Sequence, residues 1–274
     1  MNEGKLQKIA KRTLIYTFLI LMSLISVFPL YWCFISSFNS TAEILGGRMI
    51  PSTHLMENLR NLFDQQDVLN AFKNSVINAA LVLVLSLAIC SIAGYGFEIF
   101  HDRGKDAVMA LLMMSMMVPF VAILVPLFQM FSKMGFVNKY IGFILPSLST
   151  PFLIMLFRNN TRNFPKDVLE AARMDGLSEI GIFTRMFFPM MRPTYAAAAT
   201  ITFMNTWNAY LWPKVILQTA ESNTMPMLVA NLLSGYVVDY GVVMAGVTIC
   251  TLPTVIVFFI LQKSFTEAVA GAVK

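Results

Sequence analysis

Charge is what this sequence has least of. Lysine, arginine, aspartate and glutamate make up 13% of 274 residues, about half the roughly 25% of a soluble globular domain, while 57% are hydrophobic. So few polar side chains cannot cover a water-facing surface, which excludes a soluble enzyme. Histidine is scarcer still: His54 and His101 are the only two, too few and too far apart for a histidine metal cluster. Cys33, Cys90 and Cys250 stand singly in apolar surroundings without C-x-x-C spacing, and read as buried free thiols rather than bridges or ligands. The phosphate-cradling pattern GxxxxGK[ST] does not occur, since Gly104-Lys105 is followed by Asp106. Energy for any uphill transport must therefore come from a partner.

What the sequence does have is long charge-free runs. Thirty residues without a charge lie between Arg12 and Glu43, and further runs place membrane spans at about 14–38, 74–97, 107–131, 141–157, 194–213 and 241–262, each near the 17 to 25 residues that cross a bilayer as helix. This is an all-α, polytopic protein with tails at 1–13 and 263–274. The fourth span is the shortest, and Pro146 and Pro151 predict a kink in it. Segment 222–238 is too polar and short for a span and reads as a re-entrant or interfacial helix. The first apolar run is about twice a signal-peptide core and lacks a small-residue cleavage site, so it reads as a retained helix.

Basic residues set the orientation. Fourteen of the twenty lysines and arginines fall in the two tails and the second and fourth connections, which predicts both termini in the cytoplasm of a bacterial or archaeal cell. The net charge of +5 reports that topology rather than nucleic-acid binding. Apart from Lys214 at the end of the fifth, the spans hold no ionisable residue, which argues against a proton relay.

The fourth connection, 159–193, is the longest cytoplasmic stretch. Pro165 suits a first helical position and Asp167 complements the helix dipole. Val168, Ala171, Ala172 and Asp175 follow the spacing of one helical face, Gly176 stands at a helix stop, and Ser178 predicts the start of a second helix over 179–188, ending before Pro189. On these residues alone the stretch is either a stiff surface hairpin or a docking element.

The string Glu170-Ala171-Ala172-Arg173-Met174-Asp175-Gly176, followed by Phe183, Phe188-Pro189 and Pro193, resembles the EAA loop of ABC importer permease subunits, and its longer form is similar to the carbohydrate-uptake, maltose-type branch. Pro29-Leu30-Tyr31-Trp32, Ser36-Ser37-Phe38, Asn74-Ser75, Pro126-Leu127-Phe128, Gly135 and Trp207-Asn208 with Leu211-Trp212-Pro213 match in the same order. Two positions depart conservatively: Gly176-Leu177-Ser178 stands for the usual Gly-Ala or Gly-Ala-Ser, and Phe188-Pro189 for Leu-Pro. The resemblance implies a type I importer permease fold, non-catalytic and binding no cofactor itself. Its loop would be a coupling helix seated on a cytoplasmic ATPase through Glu170, Ala171, Ala172, Asp175 and Gly176. The implied partners are a sister permease chain, two ATPase subunits using ATP and Mg, an extracytoplasmic solute-binding protein and membrane lipid.

On the fifth span, Thr202, Asn205, Asn208 and Trp212 recur at three- and four-residue spacing, with Tyr210 beside them. Amides, hydroxyls and aromatic faces are what a sugar's hydroxyls and C–H surface require, so this stripe is the expected pathway lining; the plainer reading is inter-helix hydrogen bonding and an interfacial tryptophan. Met109, Met113, Met114, Met116 and Met117 read as packing filler or as an interface that repacks. Gly94 and Gly96 are expected to admit a close helix neighbour. The alternatives are a permease for a non-sugar solute such as a glycerol phosphodiester, polyamine or oligopeptide, and a stand-alone channel; a membrane enzyme would need a cluster of catalytic groups that the sequence does not show.

Overall fold

The computed structural model describes residues 3–272, and the side chains of residues 10–262; Lys5, Lys8, Lys263 and Lys274, used above for orientation, lie outside that side-chain range. Among the described residues there is no strand. The α-helices run in chain order α1 (Glu3–Ser36), α2 (Thr41–Leu45), α3 (Leu55–Gln65), α4 (Val68–Ile99), α5 (Arg103–Ser115), α6 (Phe120–Lys133), α7 (Tyr140–Ile144), α8 (Pro151–Thr161), α9 (Lys166–Met174), α10 (Glu179–Ile182), α11 (Phe188–Met190), α12 (Arg192–Trp207), α13 (Leu211–Ile216), α14 (Met225–Leu232) and α15 (Tyr240–Ala272). Ala10–Ser36, Val68–Ile99 and Tyr240–Gln262 are each long and apolar enough to cross a membrane.

The third and fifth apolar runs depart from single helices. The third is two helices, α5 and α6, meeting at 100°. Pro119 disfavours helical backbone at Val118 and itself sits at φ −61°, ψ 131° as the N-cap of α6, so one straight span over 107–131 is not formed. The fourth run bends by 46° between residues 147 and 151, where Pro151 restarts the helix as the first residue of α8. The fifth run breaks too: α12 stops at Trp207, and its 16 residues span about 24 Å. Segment 222–238 contains the eight-residue α14.

Two compact units divide the chain: Met1–Asp67 with Val229–Thr251, and Val68–Leu228 with Leu252–Lys274. In the first, a polar knot stands beside buried apolar side chains that include Leu62, Val242 and Ala245. The buried Asn58 amide donates to the carbonyls of Ser37 at 2.9 Å and Asn39 at 3.0 Å. Gly241 must be glycine here, because a Cβ would stand 2.6 Å from Asn58 Oδ1 and 2.8 Å from Asn39 O. Asp239 caps α15 by accepting from the Gly241 and Val242 amides at 3.0 and 3.3 Å. A capping box of Ser40 and Glu43 starts α2. The Glu43 carboxyl titrates below the usual carboxylate range, chiefly because the Ser40 backbone N–H donates to it.

In the second unit α4 packs against α8 and α12. The approach is closest at Gly94, where a Cβ would meet Phe157 Cβ at 2.5 Å and Arg158 N at 2.8 Å. Gly96, expected to share that role, has nothing within 4 Å of its Cβ position and faces open space. Cys90, Leu153, Ile154 and Phe157 form the core of this junction. Cys90 is fully buried, whereas Cys33 and Cys250 are only half-buried, against expectation; none of the three forms a disulfide.

Candidate functional site

The 159–193 loop is built around one helix end. Asp175 closes α9, Gly176 takes φ +79°, and the amides of Gly176 and Leu177 donate to Arg173 O and Ala172 O, both at 3.0 Å. This is a complete Schellman ending, which needs a residue able to adopt the left-handed region. Ser178 then caps α10 by accepting from Gly181 N at 3.2 Å. The second helix is not the regular one expected over 179–188: residues 183–187 are wound as a π-turn, and α11 carries on through Pro189.

The face of α9 expected to be one docking stripe is split. Glu170, Ala171, Asp175 and Gly176 are exposed. Ala172 is 2% exposed and belongs to the protein's own core with Leu169, Ile182 and Phe187, so it lies beneath the outer face and not on it. Two residues not singled out from the sequence complete the outer face: Met174 and Ile180 are 87% and 77% exposed, an unusual investment of apolar surface at a charged loop.

The loop is fastened to α4. Glu179 accepts from Arg173 Nε at 2.8 Å and from the Tyr95 hydroxyl at 3.2 Å, and the hydrogen bond to Glu179 raises the Arg173 pKa further. The Tyr95 ring packs edge-on against Phe183 at 5.3 Å and Phe187 at 4.9 Å; the π-turn is what sets both phenylalanines against it. Nearby, Arg158 pairs with Glu98 at 3.2 Å and with Asp106, and Arg162 reaches Glu98 at 3.3 Å. This network ties the end of α4 to α5 and α8. Charge counting used these residues only for orientation; the Arg158–Arg162 spacing of four on one helix was the available sign of it.

A second feature is a recess of about 500 Å³ in the same unit. Ser147, Thr150, Thr202, Asn205 and Thr206 supply its polar lining, with Phe152 and Met116 as apolar walls. The hydroxyls of Thr150 and Thr202 are buried without a hydrogen-bond partner. Among the described residues, no charged side chain lines this recess.

Of the five residues in the expected stripe, Thr202 and Asn205 line the recess and three do not. Asn208 ends α12, its side-chain amide donating to Met204 O at 2.8 Å. Tyr210 is exposed at the start of α13. Trp212 is 6% exposed; its indole N–H is shared between the carbonyls of Gly142 and Phe143 at 3.1 and 3.2 Å, and its ring packs edge-on to Phe131 at 5.4 Å. The physical reason is the break at 208–210: α13 starts in a new direction, so the three- and four-residue spacing stops meaning one face. Ser147 and Thr150 were missed because they stand in the break between α7 and α8, off α12 altogether; Thr206, four residues after Thr202 on α12, was within reach of the same spacing. Among the described residues, no group of His, Cys, Asp and Glu is arranged to hold a metal ion.

Residues 91–271 match the family model described as the inner membrane component of binding-protein-dependent transport systems. The chain is 40% identical over 259 residues to the lactose transport system permease protein LacG of Rhizobium radiobacter, covering 94% of this chain and 95% of that one. It is 34% identical to the arabinooligosaccharides transport system permease protein AraQ of Halalkalibacterium halodurans, over 92% and 93% of the two chains. Among solved structures, a chain of a bacterial ABC transporter involved in the import of the acidic polysaccharide alginate superposes with a TM-score of 0.81 at 20% identity, over 97% of this chain and 98% of that one; the fold is shared.

Proposed function

The chain belongs to the family of inner membrane components of binding-protein-dependent transport systems, a multi-pass ABC importer permease, and from that premise we propose that it forms half of the passage for a neutral oligosaccharide. In this reading both termini and the 159–193 loop are cytoplasmic, the Asn74 end of α4 is extracytoplasmic, and residues 14–262 form the membrane domain. The chain hydrolyses nothing. A sister permease completes the passage, two ATPase subunits with ATP and Mg seat on Glu170, Ala171, Met174, Asp175, Gly176 and Ile180, and a solute-binding protein delivers the cargo.

The observation that carries the substrate class is the recess itself: five hydroxyl or amide side chains, two with unpaired buried hydroxyls, and no charge. Such a lining offers a sugar hydroxyl donors and acceptors while giving an ion no counter-charge. Movement follows from the attachment of the loop. A pull on α9 passes through Glu179 and Tyr95 to α4 as a rigid-body displacement, and α4 carries one wall of the recess at Val82.

The test is Thr202→Val in the complete importer in liposomes, with lactose and arabinotriose as solutes. The variant removes a hydroxyl that has no partner in the protein, so thermal stability stays within about 1 kcal/mol while the KM for uptake rises. Unchanged uptake with lowered stability would assign Thr202 to packing, and uptake of charged solutes alone would end the sugar reading.

A further inference from the structure

Towards the other end of α4 the second unit holds another cavity, of about 360 Å³, lined by the early turns of α4, by residues 138–140 and by residues 217–222. Asn74 and Asn78 form its α4 wall. They share a helix face with Val82, which lines the recess described above, and successive members stand one turn, about 6 Å, apart along the axis. Two cavities therefore lie in sequence on one face of α4. Between them stands the apolar cluster around Trp212, to which Val82 and Leu217 both belong; Leu217 faces the outer cavity.

The chemistry of this cavity is not that of an idle gap. Asn74 is fully occupied, its amide donating to Glu221 O at 2.7 Å and Asn223 O at 3.0 Å and its oxygen accepting from Tyr140 at 3.4 Å, so it builds the floor. Asn78 is 1% exposed and its Oδ1 has no hydrogen-bond partner. An amide oxygen buried without a donor is destabilising, a cost that a hydroxylated occupant removes. Around it stand the Tyr140 hydroxyl, which donates to Asn74 and can still accept, and the Ser222 hydroxyl, which donates to Thr219 O at 2.8 Å and accepts from Thr219 Oγ1 at 3.1 Å, with Lys139 and Glu221, one charge of each sign, exposed at the rim. Balanced donors and acceptors of this kind suit a neutral polyol and offer an ion no net counter-charge.

We infer that this cavity is a second saccharide subsite, which holds one ring of the oligosaccharide outside the Trp212 cluster before the chain reaches the inner recess. It rests on the reading above that the cargo is a sugar. A ligand long enough to touch both subsites gains from the second without new affinity at the first, so the pair would favour oligosaccharides over single sugars.

The experiment is uptake by cells carrying the intact importer, with radiolabelled lactose and arabinotriose as probes, for wild type and for Asn78→Leu, Tyr140→Phe and Ser222→Ala. The last two remove one hydroxyl each, with its bond to Asn74 or Thr219, so their thermal unfolding is measured alongside uptake, and an unshifted melting point keeps the test valid if Asn78→Leu fails to assemble. Loss of one good hydrogen bond predicts a KM about three- to tenfold higher, with the maximal rate held within about twofold, the mark of lost binding rather than lost turnover. Unchanged KM in Tyr140→Phe and Ser222→Ala, together with unchanged KM in any assembled Asn78→Leu, overturns the subsite. If instead these variants weaken binding of the solute-binding protein in step with uptake, the cavity seats a protein side chain and the saccharide subsite is overturned. A wild type that imports neither probe nor any other neutral oligosaccharide refutes the sugar reading itself, a failure distinct from a null effect of the variants.

Discussion

Gly176 gives the sharpest test of the coupling loop, because conformation and sterics separate there. Its φ of +79° lies in the left-handed region, yet nothing stands within 4 Å of where a Cβ would be. A substituted side chain therefore meets no clash, and the whole cost is backbone. For Gly176→Ala that cost is about 1–2 kcal/mol, equivalent to roughly a 5- to 30-fold loss of correctly formed loop. Asparagine tolerates the left-handed region better, so Gly176→Asn is the mildest change. Proline cannot adopt positive φ, removes the N–H that donates to Arg173 O at 3.0 Å, and disfavours the helical cap at Asp175; about 3 kcal/mol or more corresponds to a loss on the order of 100-fold. The assay is affinity for the ATPase subunits in nanodiscs, with ATP-driven uptake measured in parallel and membrane insertion confirmed. The expected order of damage is Asn, then Ala, then Pro. If asparagine proves as harmful as proline, the partner reads the absence of a side chain at this position, and the argument from backbone conformation fails.

Trp212→Phe keeps the aromatic packing but leaves the carbonyls of Gly142 and Phe143 without their shared donor, so stability should fall by about 1–3 kcal/mol in thermal unfolding; retained stability with altered sugar preference would return Trp212 to the passage. Arg158→Met should destabilise more than Arg162→Met, because the Arg158 side chain is 5% exposed between two carboxylates and that of Arg162 is 57% exposed, where an ion pair contributes about 0–1 kcal/mol; equal melting shifts would contradict the network's hierarchy. The pKa of Glu43 in the folded protein lies below the roughly 4.3 of an unfolded glutamate, chiefly through the Ser40 N–H. Its contribution is therefore complete above that value and is lost as pH falls through the lower folded one. Protection factors for amides at the start of α2, which remove the intrinsic pH dependence of exchange, should fall in that acid window, and Glu43→Gln should abolish the fall.

Much of the loop was legible because its signals are local. Asp167, Gly176 and Ser178 each act on backbone groups within four residues, and the left-handed stop and the restart of the helix occur where those residues stand; Pro165, expected at the first helical position, stands one residue earlier as the extended N-cap of α9. Legibility ended where a side chain's direction depended on something distant. Ala172 matched the spacing of an outward face, but the neighbouring Ile182 and Phe187 arrive from after the turn and claim it for the core. Glu179 carried no local signal of its role; its bond to Tyr95 spans 84 residues of sequence. The recess shows the same limit. Thr202 and Asn205 lie on one helix and were found, while Ser147 and Thr150 stand in the break between α7 and α8 and gave no periodic signal.

Composition and charge placement by themselves determined that this chain belongs in a membrane, that its charged side chains are concentrated in few segments, and that one of those segments is a capped helical loop. These are sums and near-neighbour effects, independent of how helices pack. Only the tertiary structure decided which apolar runs bend, that Gly94 and not Gly96 admits a neighbouring helix, that Trp212 faces the core, and that hydroxyls from separate helices converge on one uncharged recess. Each of these depends on where a chain break redirects the helix that follows, and no repeat of three or four residues carries across such a break.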